Sequence, residues 1–140
     1  MDKPYILLVE DNEDDIMLTQ RALAKVDSSV GVVVFKDGEA ALDACREAGT
    51  LAENGALKKP LFILLDLKLP KANGVEIFRC FRSKAATKTV PIVLISSSKE
   101  EVALLASQKL GADEYLFKPI TPEKLAELIQ RYKTLRHNIS

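Results

Sequence analysis

Five short apolar runs, separated by segments of helical periodicity, limit the folds open to this chain. Four of the runs are continuous or nearly so, which is typical of strands covered on both faces of a sheet. The runs occupy residues 5–9, 30–35, 61–65, 90–95 and 114–117. They predict five β-strands inside an α/β domain.

The segments between the runs place apolar residues at the three- and four-residue spacing of amphipathic helices. Two segments carry start signals: Asn73 with Glu76 three residues later, and Thr121 followed by Pro122. The predicted apolar faces comprise Ile16, Thr19, Leu23 and Val26 in the first helix; Val75, Phe78 and Phe81 in the third; Val102, Leu105, Ala106 and Leu110 in the fourth; and Leu125, Leu128, Ile129, Tyr132 and Leu135 in the last.

A strand followed by a helix is therefore repeated five times along the chain. Right-handed crossovers with short loops turn this order into a parallel sheet with helices on both faces, and five units favour the doubly wound strand order 2-1-3-4-5. Residues 47–60 form a longer connection than a helix end and a turn require. We interpret them as an extension of the second helix plus a surface loop, and we expect residues 1–140 to form a single domain.

Charge and cysteine content argue against several functions. Twenty Lys and Arg side chains balance twenty Asp and Glu side chains, so no overall field attracts nucleic acid or an anionic membrane. Cys45 and Cys80 form no CxxC pair and fall in helical segments, which favours reduced, buried thiols. The N-terminus shows no signal sequence and no membrane span. We expect a cytoplasmic protein that binds neither nucleic acid nor membrane.

Polar side chains follow four of the five runs, at one predicted edge of the sheet. Glu10 and Asp11 follow the first run, Asp66 the third, Ser96 the fourth and Lys118 the fifth. Ligands of open parallel sheets bind beyond the carboxyl ends of the strands, where strand order reverses. Three neighbouring carboxylates repel one another unless cations lie among them, and hard oxygen ligands without His or Cys favour Mg²⁺.

The same edge suits phosphoryl transfer, which depends on positioning and charge neutralisation. Lys118 adds a second positive charge, Ser96 offers a hydroxyl, and Asp66 lies at the centre as the natural nucleophile. Some polar residues nearby have simpler roles. We assign Asn12 and Ser98 to helix capping, and the acids Glu13, Asp14 and Asp15 mainly to a solvated first helical turn.

Four separated motifs resemble the response-regulator receiver family of two-component signalling. They are the acidic pair Glu10 and Asp11, LLDLKLPKANG around Asp66, PIVLIS ending in Ser96, and YLFKP ending in Lys118 and Pro119. The resemblance spans nearly the whole chain and implies the flavodoxin-like (βα)5 fold.

The resemblance also implies a role for each matching position. Asp66 would accept a phosphoryl group from the phosphohistidine of a sensor histidine kinase. The carboxylates of Asp11 and Asp66 and the main-chain carbonyl of Lys68 would hold Mg²⁺, with Glu10 acting partly through a bound water. The phosphoryl oxygens would be bound by Lys118 and Ser96, Tyr115 would be the aromatic switch that follows Ser96, and a cis bond would precede Pro119.

Within that family, the sequence is most similar to stand-alone regulators paired with bacterial phytochromes. The resemblance then implies a downstream protein partner and a homodimer formed through helix four, strand five and helix five, where Leu104 would suit a contact. Two positions depart from the common pattern. Lys68 stands where many of these regulators carry Asn, and Glu10 replaces the commoner Asp.

Three other functions fit the same kind of sheet. A pseudo-receiver would bind partners without phosphorylation, but it would most simply lack one of the five polar groups at the edge. An aspartate-nucleophile phosphatase needs a second aspartate two residues after the first, where this chain has Lys68. A flavin-binding module would want phosphate-binding glycines and hydroxyls after the first strand, where this chain has EDNEDD.

Overall fold

The computed structural model describes residues 3–53, 59–69, 73–85, 87–108 and 110–139. Strands and helices alternate throughout, as the apolar runs predicted. The elements are β1 (Tyr5–Val9), α1 (Glu13–Val26), β2 (Gly31–Phe35), α2 (Gly38–Glu53), β3 (Ile63–Asp66), α3 (Gly74–Ser83), β4 (Ile92–Ser96), α4 (Lys99–Ser107), β5 (Glu114–Phe117) and α5 (Pro122–Ile139).

The five strands form one parallel sheet in the order β2-β1-β3-β4-β5, which confirms the predicted topology. Strand order reverses between β1 and β3, because the chain leaves β1 for the edge at β2 and then returns to the other side of β1. In the register of this pair, Val9 lies beside Leu65. The residues that follow these two strands, from Glu10 and from Asp66, are thereby brought to the same edge.

Each face of the sheet carries its own apolar core. Ile6, Leu8 and Leu64 point to one face and pack with α1 and α5, whereas Leu65 and Leu94 point to the other and pack with α2 and α3. The side chains of β3 and β4 are buried along their whole length, because helices cover both faces. This rigid centre fixes the positions of the strand ends that carry the polar side chains.

The residues predicted to cap the N-termini of the helices do so in the structure. Asn12 Oδ1 accepts a hydrogen bond from the Asp15 backbone N–H at 2.9 Å, and Asn73 Oδ1 accepts one from the Glu76 N–H at 3.0 Å. The hydroxyl oxygens of Ser98 and Thr121 accept equivalent bonds at the starts of α4 and α5, and these caps orient the first turns that surround the candidate site.

Three positions predicted on apolar helical faces differ from the prediction. Ala106, on α4, is exposed. Leu110 lies beyond the end of α4, which stops at Ser107, although it still packs against the sheet. Leu135 is 45% exposed, although it continues the apolar spacing of α5. The predicted extension of the second helix is correct as far as Glu53, and the predicted loop falls largely in residues 54–58, which lie outside the described residues.

Cys45 is buried and Cys80 is half-buried, and both are free thiols, as predicted. Among the residues that the structure describes, no helix combines the length and the apolar composition needed to cross a bilayer.

Candidate functional site

Asp66 ends the buried strand β3, and its carboxylate is held between two donors. Only 4% of the residue is exposed. Its Oδ1 accepts a hydrogen bond from the Lys68 backbone N–H at 3.0 Å, and its Oδ2 accepts one from Lys118 Nζ at 2.9 Å. These two hydrogen bonds hold the buried carboxylate in a fixed orientation.

Gly74 allows α3 to start directly against the strand end that carries Asp66. A Cβ at position 74 would lie 2.7 Å from the carbonyl oxygen of Asp66 and 2.7 Å from the Cα of Leu67. The Gly74 N–H donates a hydrogen bond to the Leu67 carbonyl at 3.2 Å. The glycine of LLDLKLPKANG is therefore explained by a close approach of two backbones.

Three carboxylates meet beside this strand end. One oxygen each from Glu10, Asp11 and Asp66 lies within 4.8 Å of the other two. Glu10 is only 1% exposed, whereas Asp11 faces solvent. A set of oxygen donors with an open, solvated side fits Mg²⁺ or a similar hard cation that retains several waters. The Lys68 backbone N–H donates a hydrogen bond to Asp66. The role of the Lys68 main-chain carbonyl as a metal ligand stays a prediction.

The Glu10 carboxyl is the most perturbed group of the cluster. Burial, followed by a side-chain hydrogen bond with Asp66, raises the pKa of Glu10 from 4.5 to about 7, and the contact with Lys118 only partly opposes this. The second oxygen, Oε2, accepts a hydrogen bond from the Asn12 backbone N–H at 3.2 Å. A cation bound here would favour the ionised form and so relieve the repulsion.

Lys118 follows β5 and contacts three carboxylates at once. Its Nζ lies 2.6 Å from Glu10 Oε1, 2.9 Å from Asp66 Oδ2 and 3.0 Å from Asp15 Oδ2. Burial acts to lower the pKa of Lys118, but hydrogen bonds to these three carboxylates outweigh it and hold the pKa above its ordinary value. The ammonium therefore stays charged at neutral pH and links the ends of β1, β3 and β5. A cis peptide bond follows it, as the sequence predicted.

The assignment of Asp15 to a solvated turn is wrong, although it holds for Glu13 and Asp14. Those two residues are exposed, and Glu13 pairs with Lys36 on the surface. Asp15 instead turns toward the sheet edge and contacts Lys118. A sequence signal existed, because Asp15 lies four residues before Thr19, which belongs to the predicted inward face of the first helix.

Ser96 ends β4 and is completely buried. Its hydroxyl donates a hydrogen bond to Glu101 Oε1 at 2.7 Å and accepts one from the Ser98 backbone N–H at 3.0 Å. Strand register places its neighbour Ile95 beside Asp66. The site is thus flanked by a hydroxyl that is held by Glu101, a residue that the sequence analysis did not single out.

The comparisons with known proteins agree with this geometry. The family model for the response regulator receiver domain matches residues 6–130 of the chain. The chain belongs to the response regulator receiver family. The relationship predicted from the four motifs is therefore confirmed.

Two curated relatives match most of this receiver. FilR2 of Methanothrix harundinacea (strain 6Ac), named as a probable methanogenesis regulatory protein, is 33% identical over 91% of this chain and 80% of its own length. The response regulator Rcp1 of Synechocystis sp. (strain ATCC 27184 / PCC 6803 / Kazusa) is 33% identical over 89% of this chain and 83% of its own length.

Solved structures of phytochrome response regulators resemble this receiver as well. The bacteriophytochrome response regulator RtBRR matches with a TM-score of 0.78 and 37% identity, covering 94% of this chain and 78% of its own. The phosphorylated cyanobacterial phytochrome response regulator RcpA matches with a TM-score of 0.71 and 34% identity over 96% and 91%. The Mn²⁺-bound form of Rcp1 matches with a TM-score of 0.69 and 30% identity over 94% and 92%.

Tyr115, the predicted switch residue of the receiver, lies apart from the carboxylate cluster. It is half-buried in the middle of β5 and packs against the core that also contains Leu94, its register partner on β4. Leu94 and Ser96 lie two residues apart on one strand and so face the same side of the sheet. Tyr115 therefore lies on the same face of the sheet as Ser96, two residues further from the carboxyl ends of the strands.

Proposed function

We propose that this receiver accepts a phosphoryl group on Asp66 from the phosphohistidine of a sensor histidine kinase. The observation that carries the proposal is the arrangement around Asp66: Lys118 Nζ lies 2.9 Å from its Oδ2, and Glu10 and Asp11 complete a carboxylate cluster within 4.8 Å. We further propose that residues 1–140 act as a single domain that signals through protein contacts.

In the proposed reaction, a carboxylate oxygen of Asp66 attacks the phosphorus atom. A new O–P bond forms, the N–P bond of the phosphohistidine breaks, and its electron pair returns to the imidazole of the kinase. Lys118 and Ser96 would bind two of the phosphoryl oxygens, and the Lys68 N–H would keep the other carboxylate oxygen of Asp66 in place. Because the acid is already oriented, little rearrangement precedes the attack.

Mg²⁺ fits the donor set of the site. Glu10, Asp11, Asp66 and the main-chain carbonyl of Lys68 would hold it, with part of the Glu10 contribution passing through water. When bound, it supplies positive charge that offsets both the carboxylate repulsion and the charge of the phosphoryl group. The resemblance to the Mn²⁺-bound form of Rcp1 supports a divalent cation in this position.

The proposed output is a population shift. A phosphoryl group favours the active conformation only by binding Ser96 and Lys118 better there than in the resting one. Ser96 would leave Glu101 to reach the phosphoryl oxygen, and Tyr115, on the same face of the sheet, would follow into the vacated space. The change would be read on α4, β5 and α5.

The same surface would form the homodimer. Three large apolar side chains are exposed there: Leu104 on α4 at 57%, Phe117 on β5 at 43% and Leu135 on α5 at 45%. A downstream protein would compete with or replace the second copy. The balanced net charge supports neither nucleic acid nor an anionic membrane as the partner, and we propose a cytoplasmic location.

A phytochrome is the proposed kinase. The resemblance to RtBRR and RcpA, both phytochrome response regulators by name, supports this assignment. The test is transfer from a purified, phosphorylated bacteriophytochrome kinase, compared with a histidine kinase of another class at equal concentration. Faster transfer from the second kinase would overturn the pairing and leave the phospho-acceptor role intact.

Acetyl phosphate tests the acceptor itself. We expect a mass increase of about 80 Da that requires Mg²⁺ and disappears in Asp66→Asn, because one site gains one phosphoryl group. Asp43→Asn, an exposed acid on α2, is the matched control and should be labelled as in the wild type. No adduct in the wild type would favour a pseudo-receiver, and sustained turnover of phosphomonoesters would favour a phosphatase.

A further inference from the structure

We propose that Asp15 is a positioning residue, which holds Lys118 in the unphosphorylated protein and releases it to the phosphoryl group. This inference rests on the proposed phosphorylation of Asp66. The Lys118 ammonium has three protons to donate and no other hydrogen-bonding capacity. All three directions are taken by carboxylates, at 2.6, 2.9 and 3.0 Å from Nζ.

Phosphorylation must change this arrangement. Once a phosphoryl group is attached to Asp66, the negative charge that faced Lys118 moves outward onto the phosphoryl oxygens. The ammonium has to follow it away from the strand end. It can do so only by weakening its bond to Glu10 or its bond to Asp15.

Asp15 is the partner that leaves at the lower cost. Glu10 is 1% exposed, so without Lys118 its carboxylate would have no water and would depend on the Asn12 N–H and the bound cation alone. The Asp15 side chain is 33% exposed. Its carboxylate regains water when Lys118 departs, so the free energy lost is that of a partly exposed ion pair.

The backbone of Asp15 is fixed while its side chain has room to move. Its N–H donates to Asn12 Oδ1 at 2.9 Å, and its carbonyl accepts a hydrogen bond from the Thr19 hydroxyl at 3.0 Å. A cavity of about 370 Å³ adjoins the carboxylate and is lined in part by Thr19, Ala22, Lys118 and Pro119. The position of Asp15 is therefore set by α1, and a change of its rotamer meets open space.

Asp15 thus competes with the phosphoryl group for Lys118. Removal of the carboxylate should favour the phosphorylated arrangement, and it should also remove an interaction that ties α1 to the end of β5 in the resting protein. Removal of the carboxylate should therefore raise the affinity for the phosphoryl group and lower the free energy of unfolding of the unphosphorylated protein.

Beryllofluoride with Mg²⁺, titrated by calorimetry, measures the first effect. We expect Asp15→Asn to bind this phosphoryl mimic roughly two- to five-fold more tightly than the wild type, the range of one partly exposed ion pair. Asp14→Asn removes the same charge from the adjacent exposed position and should bind as the wild type does. Asp15→Glu restores a carboxylate and should return the affinity toward the wild-type value.

Urea unfolding without metal or beryllofluoride measures the second effect. Asp15→Asn should be less stable than Asp14→Asn. In a Lys118→Met background this difference should disappear or reverse, because the Asp15 carboxylate then has only like charges beside it. Failure of the wild type to bind beryllofluoride would count against phosphorylation itself. Normal binding by the wild type, with Asp15→Asn no tighter than Asp14→Asn or no tighter than Asp15→Glu, would overturn the role of Asp15 alone.

Discussion

The hydroxyl of Ser96 donates a hydrogen bond to Glu101 Oε1 at 2.7 Å. This bond joins the end of β4 to the first turn of α4. A serine hydroxyl has a single proton to donate, so Ser96 cannot donate to a phosphoryl oxygen and to Glu101 at once. In the proposed phosphorylation of Asp66, the first turn of α4 would thereby be coupled to the occupancy of the site.

Replacement of Glu101 by alanine should release the Ser96 hydroxyl. We expect beryllofluoride to bind roughly two- to five-fold more tightly, because a competing acceptor has been removed. Glu100→Ala removes the same charge from the same turn without touching Ser96 and is the control. The gain should vanish in a Ser96→Ala background, and a gain that persists there would show that it does not arise from this hydrogen bond.

Gly74→Ala should destabilise the fold, since the added methyl group would meet the backbone of Asp66 and Leu67 at 2.7 Å. We expect a loss of about 1–3 kcal/mol in the free energy of unfolding, measured by urea denaturation. Gly31→Ala is the matched control, because its added Cβ would meet nothing closer than 3.8 Å. Equal stability of the two variants would contradict the close approach of α3 to β3.

Asp27 should contribute stability that is lost in acid. Hydrogen bonds from Lys133, at 2.7 Å, and from Ser29 lower the pKa of Asp27 from 3.8 to about 2. The unfolded chain therefore takes up the proton first, so the contribution is fully present above about pH 4 and is lost as the pH falls toward 2.

The variant Asp27→Asn isolates this contribution. It should be less stable than the wild type at pH 7 by less than about 1 kcal/mol, because the pair is partly exposed. The difference should shrink when urea unfolding is repeated at progressively lower pH below 4. Asp43→Asn is the control, since Asp43 pairs with Arg46 at 3.5 Å on the surface. A difference that grows in acid would reverse the assigned sign.

Arg82 should be important for stability although it lies far from the site. Its guanidinium donates to the Val90 carbonyl at 2.7 Å and to Asp113 Oδ2 at 2.8 Å, and that same oxygen accepts from the Ile92 N–H. Arg82→Met should cost about 1–3 kcal/mol in urea denaturation. Arg79→Met, an exposed position on the same helix, should cost little, and equal losses would show that the network is not the cause.

The parts of the site that follow from chain order were predictable. Glu10, Asp66, Ser96 and Lys118 lie just beyond four apolar runs or at their ends, and parallel strands bring such positions to one edge. The caps at Asn12, Asn73, Ser98 and Thr121 were predictable for a related reason, because each cap bonds to a backbone N–H only three residues away. No knowledge of packing was needed for either inference.

The partners of those groups were not predictable in the same way. Asp15 and Lys118 are 103 residues apart, and their contact depends on how closely α1 approaches the end of β5. Leu135 has the apolar spacing of its helix, yet it is exposed, because spacing alone does not determine which positions a neighbouring element covers.

The sequence by itself determined the five strand–helix units, the edge of the sheet that carries the carboxylates, and the family. Tertiary structure decided which acids share Lys118, which acceptor holds Ser96, and why position 74 has no side chain. The physical reason is that the two kinds of feature depend on residues at different separations along the chain. Periodicity and capping depend on neighbours within a few residues, whereas an ion pair depends on ångström-scale distances between elements that only the packed core sets.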